Sequence, residues 1–122
     1  MKRVLRGELP TPEYPDALRQ RAREVWWGRA DATFGYARQY HARQGRLTQC
    51  AGLVAQAASQ AAHAVLAARG EWITNEKTLL TRAGLRQVDE FIVDARPDRE
   101  ALCDLVDKSR TACVDALQGA NR

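Results

Sequence analysis

The chain has 122 residues, 45% of them hydrophobic, and a formal net charge of +4 at neutral pH. This length predicts a single domain, and four prolines with eight glycines are too few for a disordered chain. No run approaches the roughly 18 apolar residues of a membrane span, and the N-terminal residues lack the apolar core of a secretory signal. Three cysteines without a Cys-x-x-Cys pair predict reduced thiols and a cytoplasmic location, with all three acting as small buried apolar residues: Cys50, Cys103 and Cys113.

The positive charge is concentrated in the first third of the chain. Residues 1–46 carry ten Lys/Arg and five Asp/Glu, whereas residues 47–122 carry nine and ten. Such a basic segment could contact nucleotide phosphates or nucleic acid. The aromatic residues are not interleaved with the basic ones, so we favour a solvated helix face and a basic tail, and nucleic acid is not an expected partner.

The chain begins with a segment that cannot be the interior of a helix. Three prolines fall within the six positions from Pro10 to Pro15. We therefore predict a leader or linker over residues 1–14 and a helical bundle domain over residues 15–119.

Helix one is expected from Pro15 to about Arg43, with Asp16 beside its N-terminus. Its predicted apolar face has a helical period and consists of Leu18, Ala22, Val25, Ala30 or Arg29, Thr33, Ala37 and Tyr40. Trp26 and Trp27 are about 100° apart on a helix, so they cannot both point to one core. We predict that one lies in the core and the other at an interface, such as that of a homodimer; the alternative is that both are half-buried.

Helix two is the predicted centre of the fold. It should start at an N-cap Thr48 and end at Arg69, because Gly70 is a typical C-terminal stop. Nine alanines lie between Ala51 and Ala68, and alanine has the highest helix propensity. Its predicted apolar stripe is Leu53, Val54, Ala57, Ala61, Ala64, Val65 and Ala68.

A polar stripe beside the apolar one provides the candidate site. Spacings of seven, four and three place four side chains on one helix face: Gln49, Gln56, Gln60 and His63. Asn75, Glu76 and Lys77 follow the Gly70 turn. Either these side chains form a substrate-facing surface, or the glutamines are solvated, His63 is packed, and Asn75 only caps the next helix.

Three shorter segments complete the prediction. A third helix runs from Glu76 to about Ala83 and stops at Gly84, and a fourth amphipathic piece covers residues 86–95. Asp98 should cap a last helix over residues 99–117, whose apolar set is Leu102, Leu105, Val106, Ser109, Ala112, Cys113, Ala116 and Leu117. No segment alternates with period two, so the predicted fold class is all-α, an antiparallel helical bundle of about four to five helices.

The run from Ala64 to Lys77, with its Gly turn, aromatic residue and Asn-Glu-Lys, resembles the helical C-terminal domain of bacterial nucleotidyltransferase-like proteins. Residues 15–19 resemble the start of that family's first long helix, residues 42–45 resemble the turn into its second, and the resemblance covers roughly residues 10–95. It departs at three positions, where the family pattern would have Arg, Gln and Asn and this chain has Gln56, His63 and Arg69. The departures leave the identity of a ligand open.

The resemblance implies a substrate- or partner-binding module whose catalytic domain is separate or missing. A nucleotidyl transfer centre needs carboxylates that hold magnesium, and this chain has neither a Gly-Ser turn nor an Asp-x-Asp pair. We therefore expect no transfer activity and no cofactor of its own; Mg²⁺ and a nucleoside triphosphate would belong to a catalytic partner. The fold also resembles HEPN domains, some of which are ribonucleases, but neither His41 nor His63 follows an Arg at the spacing that activity needs.

Two functions therefore remain open. The first is the binding module, which would use Gln56, Gln60, His63, Asn75, Glu76 and Lys77. The second is a structural bundle that homodimerises through Trp26 or Trp27 and has no ligand site.

Overall fold

A computed structural model describes residues 16–71 and 76–120. The described part is all-α and contains no strand. Its helices are α1 (Asp16–Tyr40), α2 (Leu47–Arg69), α3 (Leu79–Ala83), α4 (Gln87–Val93) and α5 (Arg99–Ala120). Two 3-10 turns, Ala42–Gln44 and Glu76–Thr78, precede α2 and α3. The predicted leader over residues 1–14 lies outside the described residues.

Helix α2 lies at the centre of the bundle, as predicted. It packs against α1, α3 and α5, and ten of its residues are buried: Cys50, Val54, Ala57, Ala58, Ala61, Ala62, Ala64, Val65, Leu66 and Ala67. Most of these side chains are alanines, and their small size lets the neighbouring backbones approach closely. Burial extends beyond the predicted stripe because α2 is covered on more than one side.

The ends of α2 confirm one part of the prediction and correct another. Gly70 adopts a left-handed conformation with φ 74°, and its N–H donates to the Ala67 carbonyl at 2.9 Å, so the predicted stop is confirmed. The predicted N-cap at Thr48 is wrong. The helix begins at Leu47, and Arg46 occupies the N-cap position without a side-chain hydrogen bond. The position where the helix begins is set by the tight α1–α2 connection and not by a side-chain cap. In this connection the Arg46 N–H donates to the His41 carbonyl at 3.0 Å.

Helix α1 is shorter than predicted and presents a different face to the core. It ends at Tyr40 rather than near Arg43, and the next residues form a 3-10 turn. Three residues of the predicted apolar face are exposed instead, namely Leu18, Val25 and Tyr40. The buried residues of α1 are Ala30, Phe34 and Ala37. Phe34, which the predicted face omitted, is the large apolar side chain that sets this face, because its burial removes more apolar surface from water than that of Thr33.

The last helix confirms its predicted cap and apolar face. Asp98 Oδ1 accepts a hydrogen bond from the Ala101 N–H at 2.8 Å. All members of the predicted set are buried except Ala116, which is partly buried against the core. Two exposed ion pairs connect α5 to α1, between Arg38 and Asp107 and between Arg110 and Asp31, each at 2.9 Å.

Candidate functional site

Polar side chains of α1 and α2 meet along one edge of the contact between these helices. The hydroxyl of Thr33 lies 2.8 Å from Gln60 Oε1 and 2.9 Å from the Arg29 carbonyl. A hydroxyl has one proton, so it serves one of these two acceptors at a time. When the hydroxyl donates to Gln60, the bond holds this half-buried residue against α1.

The main feature of this edge is a stack of two rings. The indole of Trp26 and the imidazole of His63 have centroids 4.3 Å apart and an interplanar angle of 21°. His63 Nε2 lies 3.5 Å from Glu76 Oε2, a contact that becomes an ion pair when the imidazole is protonated. The His63 side chain is 18% exposed, whereas that of Glu76 is 82% exposed. The imidazole is thus held between a buried helix surface and a carboxylate in solvent.

We call the set of Trp26, Thr33, Gln60, His63 and Glu76 the α1–α2 seam. Three of its members were predicted as site residues. Gln60 and His63 contact side chains of α1, and Glu76, in the second 3-10 turn, contacts His63. Gln56 and Lys77 are exposed, and no contact places Gln56 in the seam. The predicted Asn75 lies outside the described residues.

Trp26 and Trp27 diverge, as adjacent residues of a helix must. Trp26 packs beside His63 of α2, and the Arg29 guanidinium carbon lies 5.1 Å from its ring centroid. Trp27 packs on the α5 side, where the guanidinium carbon of Arg110 lies 5.6 Å from its ring centroid. Both indoles are half-buried against the core, which is the alternative that the sequence left open.

The sequence pattern missed the contribution of α1 to this site. Trp26 was predicted only as a core or interface residue, and Thr33 only as a member of the apolar face of helix one. Trp26, Arg29 and Thr33 are three and four residues apart, so their helical spacing could have indicated a second polar stripe facing that of α2. Pairing the two stripes, however, requires the register of α1 on α2, which sequence spacing does not give.

The seam is suited to recognition. It offers an aromatic face, an imidazole, an amide and an exposed carboxylate. Within residues 16–71 and 76–120, no group of three or more His, Cys, Asp or Glu side chains is arranged to hold a metal ion. None of the described helices combines the length and the apolar character needed to cross a membrane.

Comparisons with known proteins add no relative to this picture. A scan against protein-family models, a search of curated proteins and a search of solved structures each returned no match to this chain.

Proposed function

We propose that this chain is a non-catalytic helical binding module of a nucleotidyltransferase system, and that it contacts a catalytic chain or that chain's substrate through the α1–α2 seam. The observation that carries the proposal is the arrangement of Trp26, His63 and Glu76. The stack fixes the imidazole, and an exposed carboxylate lies 3.5 Å from it. A polar group held in place before binding loses less conformational entropy when a partner arrives.

Two features of the sequence support the nucleotidyltransferase part of the proposal. The run Asn75-Glu76-Lys77 after a Gly turn carries the family resemblance, and one of its residues belongs to the seam. The Gly-Ser and Asp-x-Asp signature of a transfer centre is missing from the sequence, so Mg²⁺ and the nucleoside triphosphate are assigned to the partner.

The test is co-expression with a chain that is encoded next to this one and carries Gly-Ser and Asp-x-Asp, followed by a binding titration. Glu76→Gln and His63→Asn should each weaken association, since truncating a charged contact that becomes buried costs about 2–5 kcal/mol. Lys77→Met should also weaken it if the whole turn is used. The melting temperatures of Glu76→Gln and Lys77→Met should change little, because exposed charges contribute at most about 1 kcal/mol to stability. His63→Asn also removes the ring that stacks on Trp26, so its melting temperature should fall.

Glu90→Gln is the matched control, because it makes the same isosteric change at an exposed position of α4. Asn75→Ala should lower stability by about 1 kcal/mol if that residue caps the following turn. The proposal is wrong if all seam variants bind the partner like the parent chain. A tight dimer in sedimentation that Trp26→Ala or Trp27→Ala dissociates, without any partner, would favour the structural bundle instead.

A further inference from the structure

A second candidate site lies where the start of α1 meets the ends of α2 and α5. A cavity of about 590 Å³ is lined there by Asp16, Arg19, Gln20, Arg23, Ala68, Arg69 and Ala120. Small-molecule sites typically have about 300–1,000 Å³, so the cavity is large enough for a ligand of several heavy atoms. None of the residues in the α1–α2 seam lines it.

Three of the seven lining residues are arginines, and one is an acid. Arg19 and Arg23 are four residues apart on α1 and therefore share a helix face, while Arg69 comes from the last turn of α2. The acid, Asp16, lies 3.0 Å from Arg19 and is itself almost fully exposed. The lining side chains thus leave a net positive charge that faces the cavity from two helices.

The arginines differ in how far the protein already uses them. Arg69 donates to the Arg82 carbonyl at 2.7 Å and lies 3.7 Å from Glu71, so its position is fixed by the fold. Arg23 Nε is buried and has no hydrogen-bond partner within residues 16–71 and 76–120. A buried N–H without an acceptor is costly, so Arg23 has unused hydrogen-bonding capacity beside the cavity that it lines.

The partial charges at the helix ends do not reverse the positive net charge around the cavity. The carboxyl ends of α2 and α5 each contribute at most about half a negative charge, and the amino end of α1 contributes the opposite. Part of the α2 end is already neutralised, because the N–H groups of Gly70 and Glu71 donate to the Ala67 and Leu66 carbonyls at 2.9 Å. The guanidinium groups therefore keep the net charge around the cavity positive.

We propose that this arginine pocket binds a small soluble ligand that carries phosphoryl groups. The planar guanidinium fork pairs with two oxygens of a phosphate or carboxylate at once. Three forks around one cavity fit the several oxygens of a diphosphate better than the two of a single carboxylate. The pocket is separate from the seam, so this inference does not depend on the proposed function.

The experiment is calorimetric titration of the full chain with inorganic pyrophosphate, with succinate as the carboxylate counterpart. We expect pyrophosphate to bind with the higher affinity. Arg23→Gln and Arg19→Gln should each weaken pyrophosphate binding about tenfold or more, since each removes charge-assisted hydrogen bonds. Arg23→Lys keeps the charge but loses the fork, so it should also bind more weakly than the parent chain.

Arg21→Gln is the matched control, because it removes the same charge from an exposed position of the same helix that does not line the cavity. It should change the affinity by less than about twofold, because salt screens exposed charges. Circular dichroism and melting curves establish that each variant is folded, and Arg19→Gln provides the test if Arg23→Gln is not. The proposal is overturned if pyrophosphate does not bind, if succinate binds with the same affinity as pyrophosphate, or if Arg21→Gln weakens pyrophosphate binding as much as Arg23→Gln does.

Discussion

Trp26 of α1 and His63 of α2 stack with their ring centroids 4.3 Å apart, and His63 in turn lies 3.5 Å from Glu76. These two contacts connect three separate elements: the middle of α1, the last turns of α2 and the turn before α3. The candidate site is therefore a product of helix packing, although each of its residues can be found on a helical stripe or next to a turn signal in the sequence.

The first prediction concerns the energy of the ring stack. In a double-mutant cycle with Trp26→Ala and His63→Ala, chemical denaturation should give a coupling free energy of about 0.5–1.5 kcal/mol, typical of stacked rings. The control cycle combines Trp26→Ala with His41→Ala. His41 lies 15 positions beyond Trp26, about 22 Å along a helix, and is therefore too far away to stack on it. Additive effects in both cycles would show that the stack contributes nothing to stability.

The second prediction concerns the small residues of α2. Ala61 is 1% exposed, so Ala61→Leu places three extra carbon atoms in a filled interior and should lower the free energy of unfolding by about 1–3 kcal/mol. Ala55→Leu makes the same change at an exposed position of the same helix, where the effect should stay within about 0.5 kcal/mol. Denaturant titrations of the two variants provide the comparison. Equal destabilisation would mean that close packing around α2 is not what limits side-chain size.

The third prediction uses two glycines with the same backbone conformation. Gly45 and Gly84 have φ values of 71° and 74°, where an L side chain is strained by about 1 kcal/mol or more. A Cβ at Gly84 would meet nothing within 4 Å, whereas one at Gly45 would lie 3.3 Å from the Pro97 carbonyl oxygen. Gly45→Ala should therefore lower the melting temperature more than Gly84→Ala does. The reverse order would contradict the contact between the α1–α2 turn and the segment before α5.

The fourth prediction concerns thiol reactivity. Burial raises the pKa of Cys113 to about 12, and burial followed by the nearby Cys103 raises the pKa of Cys50 to about 11. Since the thiolate is the reactive form, iodoacetamide at about pH 8 should label partly exposed Cys103 first in the folded chain, and all three cysteines in denaturant. Mass spectrometry of peptides measures the order. Labelling of Cys113 as fast as Cys103 in the folded chain would contradict the burial.

Because these thiol pKa values are raised in the folded chain, the free energy of unfolding should depend on pH. Below the ordinary thiol pKa of about 9, both folded and unfolded chains keep these thiols protonated, so the contribution to stability is fully present. Above that pH the unfolded chain releases the protons first, and the free energy of unfolding should fall as the pH rises towards about 11 and then 12. A thermal melt series across this range measures the effect.

Local signals in the sequence determined the fold class and several helix ends. The alanine-rich run has high helix propensity wherever it lies, and Gly70 and Gly84 stop their helices because glycine adopts positive φ without a Cβ clash. Asp98 caps α5 through a backbone N–H three residues away, a contact that needs no tertiary neighbour.

Only the tertiary structure decided which faces are buried and which polar groups meet. The apolar pattern of α1 is weak and does not by itself define one buried face. Packing against α2 buries Ala30, Phe34 and Ala37, whereas Leu18, Val25 and Tyr40 are exposed. Likewise, spacing placed His63 on a stripe, but the register of two antiparallel helices brought it to Trp26, and the chain's return after α2 brought Glu76. Helical periodicity fixes angles around one axis, whereas a site between helices depends on their relative rotation and translation, which the packing of all side chains sets together.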